Sequence, residues 1–277
     1  MSLIVNTNVA SLRAQNALEI SQSTVQKSFL RLSSGFRINS AADDAAGLGI
    51  SESLRAKIRG YSVAERNTNN AISMANVAEG GLAQVSSIVI RMRELGVQSA
   101  NGDLTSTDRG YLDTEFQLLK DEIDRLSNST EFNGSSLLGG TATSIAFQVG
   151  IGTTSNDVIN LTFGGVTVSD LGLSGISVSG SNAVSAVAAI NAMDAALGSV
   201  STVRARFGAA TNRLQISVSN TQVIRTNLAA ANSAIRDVDV AEETSQLARS
   251  QVLLQAGASV LSQANQAPQL ALQLIQR

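Results

Sequence analysis

The chain has 277 residues, enough for one large domain or two. Aromatic residues are only 3% of it, proline occurs once, and tryptophan, cysteine and histidine are absent, which leaves few bulky side chains for a thick core and excludes disulfide frameworks, thiolate chemistry, His-based triads and most zinc sites. A net charge of −2, from 20 basic and 22 acidic residues, gives no field to recruit nucleic acid, and the chain lacks the aromatic–basic interleaving that stacks on bases.

Residues 1–36 read as a helix. Val5, Val9 and Leu12 repeat at four and seven, and Val25, Phe29, Leu32 and Phe36 at four, seven and eleven. The opening MSLIVNTNVASLRAQ lacks the charged start and apolar core of a secretory signal peptide. Ser33-Ser34-Gly35 ends this helix, and Asn39-Ser40 with Asp43-Asp44 supplies oxygens to cap the next. Read as paired catalytic carboxylates, Asp43 and Asp44 would lack any accompanying base or metal ligand.

From about Ala45 to Ala100 the spacing predicts one long helix. Ala64, Ala71, Ala75, Ala78, Leu82, Val85, Val89 and Met92 follow the alternating four–three spacing of a coiled-coil seam, with Thr68 as the one polar member. At ~1.5 Å per residue it would be a rod of roughly 80 Å. Asn101-Gly102 closes it. A third helix, from about Thr107 to Ser129, carries Leu112, Phe116, Leu119, Ile123 and Leu126 at the same spacing behind a cap at Thr105–Asp108. It should fold back on the rod.

The pattern changes at the turn Glu131-Phe132-Asn133-Gly134. Ile145, Phe147, Val149 and Ile151 alternate, as do Ile159, Leu161 and Phe163, then Val166 and Val168. Gly152–Asp157 and Gly164-Gly165 read as hairpin connections, so residues 140–180 form a small β region. After Ser181 helix resumes, with Ile190, Met193, Leu197, Val200, Phe207, Leu214, Val218, Leu228 and Ile235 on one register that Arg204 and Arg225 interrupt.

A break at Arg236–Asp239 precedes the last helix. It carries no charge from Ser250 to Gln276; Leu247, Leu254 and Leu261 fall seven apart, and glutamines fill the opposite side. Pro268 is placed to kink or end it. Such a helix is too polar for a bilayer and expects protein on most of its sides, although one helix of an ordinary core reads similarly. The fold class that results is mainly α with a small central β region: a long antiparallel coiled-coil-like rod, β-hairpins at its tip, and paired terminal helices. Weakly charged terminal helices at one end suit stacking with further copies. An enzyme is disfavoured: a Ser–Lys mechanism would need Lys27, Lys57 or Lys120, all in predicted helices.

Leu32 to Gly47, reading LSSGFRINSAADDAAG, resembles the amino-terminal signature of bacterial flagellins, with Phe36 and Ala42 as its departures. Asn6-Thr7-Asn8 with Ser11, Leu12 and Asn16 looks the same way. Gln255 to Gln266 with Pro268-Gln269 resembles the carboxy-terminal signature, and Arg91–Asn101 and Glu122–Leu126 match the rod of that family. The resemblance covers roughly 1–150 and 180–277. It implies a filament subunit without variable outer domains, divided into an inner-tube N-terminal helix (1–42), a rod arm with two helices and the β region (43–180), a rod C-terminal helix (181–236) and an inner-tube C-terminal helix (237–277).

By the same resemblance the terminal helices drive self-assembly, through Val5, Val9, Leu12, Val25, Phe29 and Leu32 and through Leu247, Leu254 and Leu261. Terminal segments would order on assembly. Implied partners are further copies in a helical filament, the flagellar type III export apparatus, a secretion chaperone, and hook-associated junction and cap proteins. No cofactor, nucleic acid or membrane is implied. Localisation would be extracellular, without a cleaved signal peptide. Many flagellins are recognised by a Toll-like receptor of animals; the matching segment is Ile90 to Gln98, where Arg91 and Leu95 are retained together with Glu115, while Ile90, Met92 and Gly96 depart. Leu272, Leu274 and Ile275 resemble the terminal leucines read by cytosolic immune sensors, with Ile275 and Gln276 as departures. The alternatives are a hook–filament junction protein and a general coiled-coil adhesin or binding module. Ser and Thr in 141–181 admit O-glycosylation but read equally as turn and strand residues.

Overall fold

A computed structural model of the chain describes residues 7–140 and 143–275, those from 267 on as backbone only. Among the described residues five helices carry the fold: α1 (Val9–Ser34), α2 (Ala45–Ser99), α3 (Ser106–Ser129), α4 (Val184–Arg236) and α5 (Val240–Ile275). Two antiparallel pairs of strands lie between α3 and α4: β1 (Glu131–Phe132) with β2 (Ser135–Ser136), and β3 (Thr143–Gln148) with β4 (Val158–Phe163). The chain divides into two compact units, residues 57–226 and residues 1–56 with 227–277. The division cuts through α2 and α4, inside the helices rather than at their ends.

In the unit 57–226, every position of the α2 seam is buried, from Ala64 through Met92. Thr68 joins it without an orphaned hydroxyl, because its Oγ1 donates to the Ala64 carbonyl at 2.7 Å. Phe116 and Ile123 of α3 close on this seam, with Leu112 and Leu119 at its edge. A capping box starts α3: the Asp108 amide donates to Thr105 Oγ1, and the Asp108 carboxylate accepts from the Thr105 amide and hydroxyl. The α4 helix runs antiparallel to α2, as shown by ion pairs Arg93–Asp194, Glu79–Arg204 and Glu65–Arg225. The arginines that interrupt the apolar register of α4 are thus its cross-helix partners. Met193, Val200, Phe207 and Leu214 of the α4 register are buried, and so are Ala186, Ala189 and Ala196, which the register passed over, whereas Ile190, Leu197 and Val218 are half-buried at the sides. Alanine at the contact lets two backbones approach, and the larger side chains then pack at the sides.

Asn133 (φ 51°) and Gly134 (φ 76°) make the two-residue turn of the first hairpin, the left-handed pair such a turn requires. The second hairpin holds Ile145 opposite Leu161 and Phe147 opposite Ile159. Its inner side buries Ile159, Leu161 and Phe163, and Phe163 meets Phe207 of α4 with ring centroids 5.2 Å apart. Val166 and Val168 do not form the further strand that their alternation suggested, nor is Gly164-Gly165 a hairpin connection. Both valines are buried in an irregular strap held by α3: the Val166 carbonyl accepts from Ser127 Oγ, the Val168 amide donates to Asp124, and the Val178 amide to Asp113. Alternation here records burial on one side, which an irregular segment satisfies as well as a strand does. The region after α3 extends along the flank of the helices: Asn67 of α2 donates to the Gln148 carbonyl at 3.2 Å, and Ser99 at the far end of α2 to the Val178 carbonyl at 2.6 Å. The hairpin covers the part of α2 that the shorter α3 does not reach.

Within α3, Phe116 is fully buried while Leu118 is 64% exposed. Phe116→Ala should therefore cost about 3–5 kcal/mol by leaving a cavity, whereas Leu118→Ala should stay within about 0.5 kcal/mol of the parent. Urea unfolding of the full chain followed by circular dichroism distinguishes the two.

Candidate functional site

In the unit 1–56 with 227–277, α1 and α5 pair antiparallel. Asn8 caps α1, accepting from the Ser11 amide at 3.0 Å, and donates its own amide across to the Ala264 carbonyl at 2.7 Å. Ser11 Oγ lies 2.8 Å from Asn265 Oδ1, and at the other end Arg31 reaches Glu243 at 3.5 Å. The side chains between the helices keep the four–three spacing on both: Ser11, Ala14, Leu18, Ser21, Val25, Ser28 and Leu32 on α1, and Glu243, Leu247, Ser250, Leu254, Gly257, Leu261 and Ala264 on α5. Glu243 is the single charged residue among them and is 9% exposed.

The sequence-predicted assembly residues fall into two groups. Val25, Leu32, Leu247, Leu254 and Leu261 are half-buried between the two helices, so they hold the subunit's own termini together. Val9, Leu12 and Phe29 point outward, Phe29 at 68% exposure, in company with Ile20 and Leu30. On α5 the outward apolar residues are Val252, Leu253 and Val260. One amphipathic pattern in α1 therefore serves two faces, which a period alone does not separate. Val5 lies outside the described residues. Leu272, Leu274 and Ile275 lie in the α5 backbone, which runs on past Pro268 rather than ending there; their side chains lie outside those described.

Where the paired helices meet the ends of α2 and α4, two connecting segments clasp each other. Gly35 ends α1 in the left-handed conformation (φ 74°). Its carbonyl accepts from the Val238 amide at 3.1 Å, while the Arg37 amide donates to the Arg236 carbonyl at 2.7 Å. Arg236 lies over the Phe36 ring, 4.7 Å from its centroid, and donates to Glu52 at 2.7 Å. The departure from the signature at Phe36 thus supplies a face for a cation. Asp43 and Asp44 are structural. Asp44 accepts from the Gly47 amide to cap α2, and Asp43 accepts from the Asn39 and Ser40 amides and the Ser40 hydroxyl. These bonds, the Ser40 amide first, hold the Asp43 carboxyl below its ordinary value. The Arg236 hydrogen bond does the same for Glu52. An open polar groove of about 690 Å³ beside the clasp is lined on one side by Lys27, Arg31 and Arg37 and on the other by Asp237, Asp239 and Glu242.

In the other unit, Arg91 joins α2 to α3. Its guanidinium donates to Glu94 and to Glu115, each at 3.0 Å, and these bonds raise its pKa. Arg91 and Glu115 stand half-exposed as an ion pair. Leu95, expected alongside them, is 1% exposed and belongs to the core of the unit. It supports the helix that carries Arg91 and presents no surface of its own. The α2 seam continues from Met92 to Gly96 in its four–three alternation, and Leu95 lies beside Gly96, so its burial follows from its place next to the seam.

Comparison with known proteins agrees with this layout. Residues 5–143 match the model of the bacterial flagellin N-terminal helical region, and residues 190–275 that of the C-terminal helical region. A flagellin of Halalkalibacterium halodurans is 42% identical over 99% of this chain and 100% of its own length. The Bacillus subtilis flagellin is 38% identical over 98% and 99%, and a flagellar filament 33 kDa core protein of Treponema phagedenis is 38% identical over 99% and 100%. Among solved structures, Bacillus cereus flagellin is similar at 34% identity and a TM-score of 0.51, covering 60% of this chain and 94% of that one. A putative flagellar hook-associated protein from Vibrio parahaemolyticus shares the fold at 18% identity and a TM-score of 0.58, covering 70% and 100%.

The Glu52–Arg236 pair carries a pH signature. A carboxylate held below its ordinary value of 4.5 adds stability that is present above that pH and is lost as pH falls through the depressed value. Glu52→Gln should therefore unfold more readily than the parent at neutral pH and match it in strong acid. Denaturant midpoints measured across that range should converge towards the acid end.

Proposed function

This chain belongs to the bacterial flagellin family and is a structural subunit of a flagellar filament, not an enzyme; from that premise we propose that α1 and α5 are its polymerisation element. The observation that supports this is the apolar surface they leave uncovered after pairing with each other. A helix pair that stays outside assemblies rarely shows Phe29, Ile20 and Val252 to water. Burying them against further copies would give the drive for assembly, at roughly 25 cal/mol per Å² of apolar surface removed from water. Residues 1–42 and 237–277 then act as inner-tube helices, with 43–180 and 181–236 as the arms of the rod.

The uncovered residues divide the roles. Val9, Leu12 and Phe29 meet neighbouring copies, whereas Val25, Leu32, Leu247, Leu254 and Leu261 prepare the surface by pairing α1 with α5. Val5 extends the outward row in sequence. Subunits reach the filament through the flagellar export apparatus, with a secretion chaperone covering the C-terminal helix beforehand, and hook-associated junction and cap proteins contact the two filament ends. The junction-protein reading is not favoured, since the likeness to a hook-associated protein is one of fold. A second role rests on the exposed Arg91–Glu115 pair: recognition by an animal Toll-like receptor, with Arg91 and Glu115 as contacts and Leu95 as the packing beneath them. A cytosolic sensor reading Leu272, Leu274 and Ile275 would have to capture them unassembled.

Seeding purified protein with sheared filament ends should yield tubes by electron microscopy. Removing residues 240–277, or introducing Leu12→Asp with Phe29→Asp, should abolish growth while the far-ultraviolet spectrum of the remaining helices persists. Full-length protein that stays monomeric under all salting conditions would refute the assembly reading. For the receptor, Arg91→Ala and Glu115→Ala should each weaken a reporter-cell response to depolymerised subunit, and a parent protein silent at high dose would refute recognition.

A further inference from the structure

The contacts between α1 and α5 fix which residues oppose each other, and the layers that result have a regular composition. Leu18 packs against Gly257, with its Cδ1 only 3.0 Å from where a Cβ would stand. At the same register Ala14 opposes Leu261, Ser21 opposes Leu254, Val25 opposes Ser250 and Ser28 opposes Leu247. Each layer matches one bulky side chain with one small one, and the bulky partner changes helix from layer to layer. Small residues opposite large ones let the two helices interlock at close range.

Such a seam has a consequence for its own specificity. Both helices repeat every seven residues, so sliding α5 by seven, about 10 Å along the axis, again sets bulky against small. Leu18 would meet Ser250 or Ala264 in place of Gly257, and Ser21 would meet Leu247 or Leu261 in place of Leu254. The apolar layers therefore do not choose among registers. One layer does. Leu32 opposes Glu243, whose carboxylate is nearly buried and is neutralised by Arg31 at 3.5 Å. A slip in one direction carries Glu243 down to Val25 and leaves its charge without that partner between the helices. A slip in the other carries it past the end of α1 at Ser34, losing both the ion pair and overlap.

We propose that Glu243, held by Arg31, is the specificity-determining residue of the terminal helix pair, selecting one register out of a seam that would accept several. This rests on the assembly reading, since the register decides how the outward residues of α1, such as Phe29, align with Val252 and Val260 of α5. A polar residue inside an otherwise degenerate seam sets alignment because every wrong alignment strands its charge. The clasp between Gly35 and Val238 lies little more than one turn away from this ion pair and is compatible with it.

The chain has no cysteine, so engineered pairs report register without background. Full-length protein carrying Ser21→Cys would be combined with Leu254→Cys for the native register, and with Leu247→Cys or Leu261→Cys for the two slipped ones. Each would be oxidised in solution and in seeded polymer, and the intramolecular link read as a shifted monomer band. A disulfide forms only when Cα atoms come within about 7 Å. In the parent background the native pair should link and the slipped pairs should not. In Arg31→Leu/Glu243→Leu the slipped links should rise several-fold at the expense of the native one. The charge reversal Arg31→Glu/Glu243→Arg should restore the native link alone. Slipped links in the parent, no native link in either fraction, exclusive native linking in the leucine variant, or failure of the reversal to restore it would each overturn the proposal; exclusive native linking there would assign the register to the backbone clasp. Sedimentation with seeds is scored separately. Failure of parent protein to polymerise counts against the assembly reading and leaves the register result standing.

Discussion

The burial of one side of α2 is the constraint around which the unit 57–226 is arranged. Its seam is built mostly from alanine at one end and from leucine, valine and methionine at the other. The small end lets partner backbones come close, and the larger end fills the wider space where α3 and the strap also pack. Helix α3 is less than half as long as α2, so something else must cover the remaining length. The second hairpin does so, which explains why a largely helical protein keeps two paired strands in the middle of its sequence.

Polar groups follow the same constraint. Arg109 is buried, yet its guanidinium satisfies the Ser99 and Asn101 carbonyls where α2 ends, so the helix terminus is closed by a side chain of the next helix. Lys120 is nearly buried as well and donates to the Ser174 and Ile176 carbonyls of the strap. Neither cation is opposed by a carboxylate among these bonds. Each instead compensates its desolvation by binding backbone oxygens that would otherwise be unpaired. The exposed ion pairs along α2 and α4 contribute less, being solvated on both sides, and act more on alignment than on stability.

The terminal unit is built to a different standard. Between α1 and α5 lie serines, alanine, glycine and a glutamate, with single leucines or valines between them. This gives a narrow contact with little buried apolar area, and it leaves larger apolar side chains outside. A pair of this kind draws little stability from its own contact. The unit 57–226 thus encloses its apolar side chains, whereas the terminal pair leaves some of its own uncovered, and the assembly proposal fills that surface with further copies.

Much of this was legible in the sequence. The α2 seam from Ala64 to Met92, the caps at Thr105 and Asp44, the turn at Asn133-Gly134 and the five helices all follow from periodicity and local hydrogen-bonding chemistry, which act over a few residues and so leave a local trace. The family signatures at 32–47 and 255–266 determined the kind of protein. What the sequence could not separate were the sides of a helix that serve different neighbours. Leu95 lies beside a seam without belonging to its register and is buried, and Phe29 shares a spacing with Val25 and Leu32 and is exposed. Val166 and Val168 alternate without forming a strand. In each case the residue types record only that apolar contact is wanted. Which partner provides it depends on how distant segments meet, and that is decided by tertiary packing, where the reach of α3, the close approach permitted by alanine and glycine, and the partner available to a buried charge are settled together.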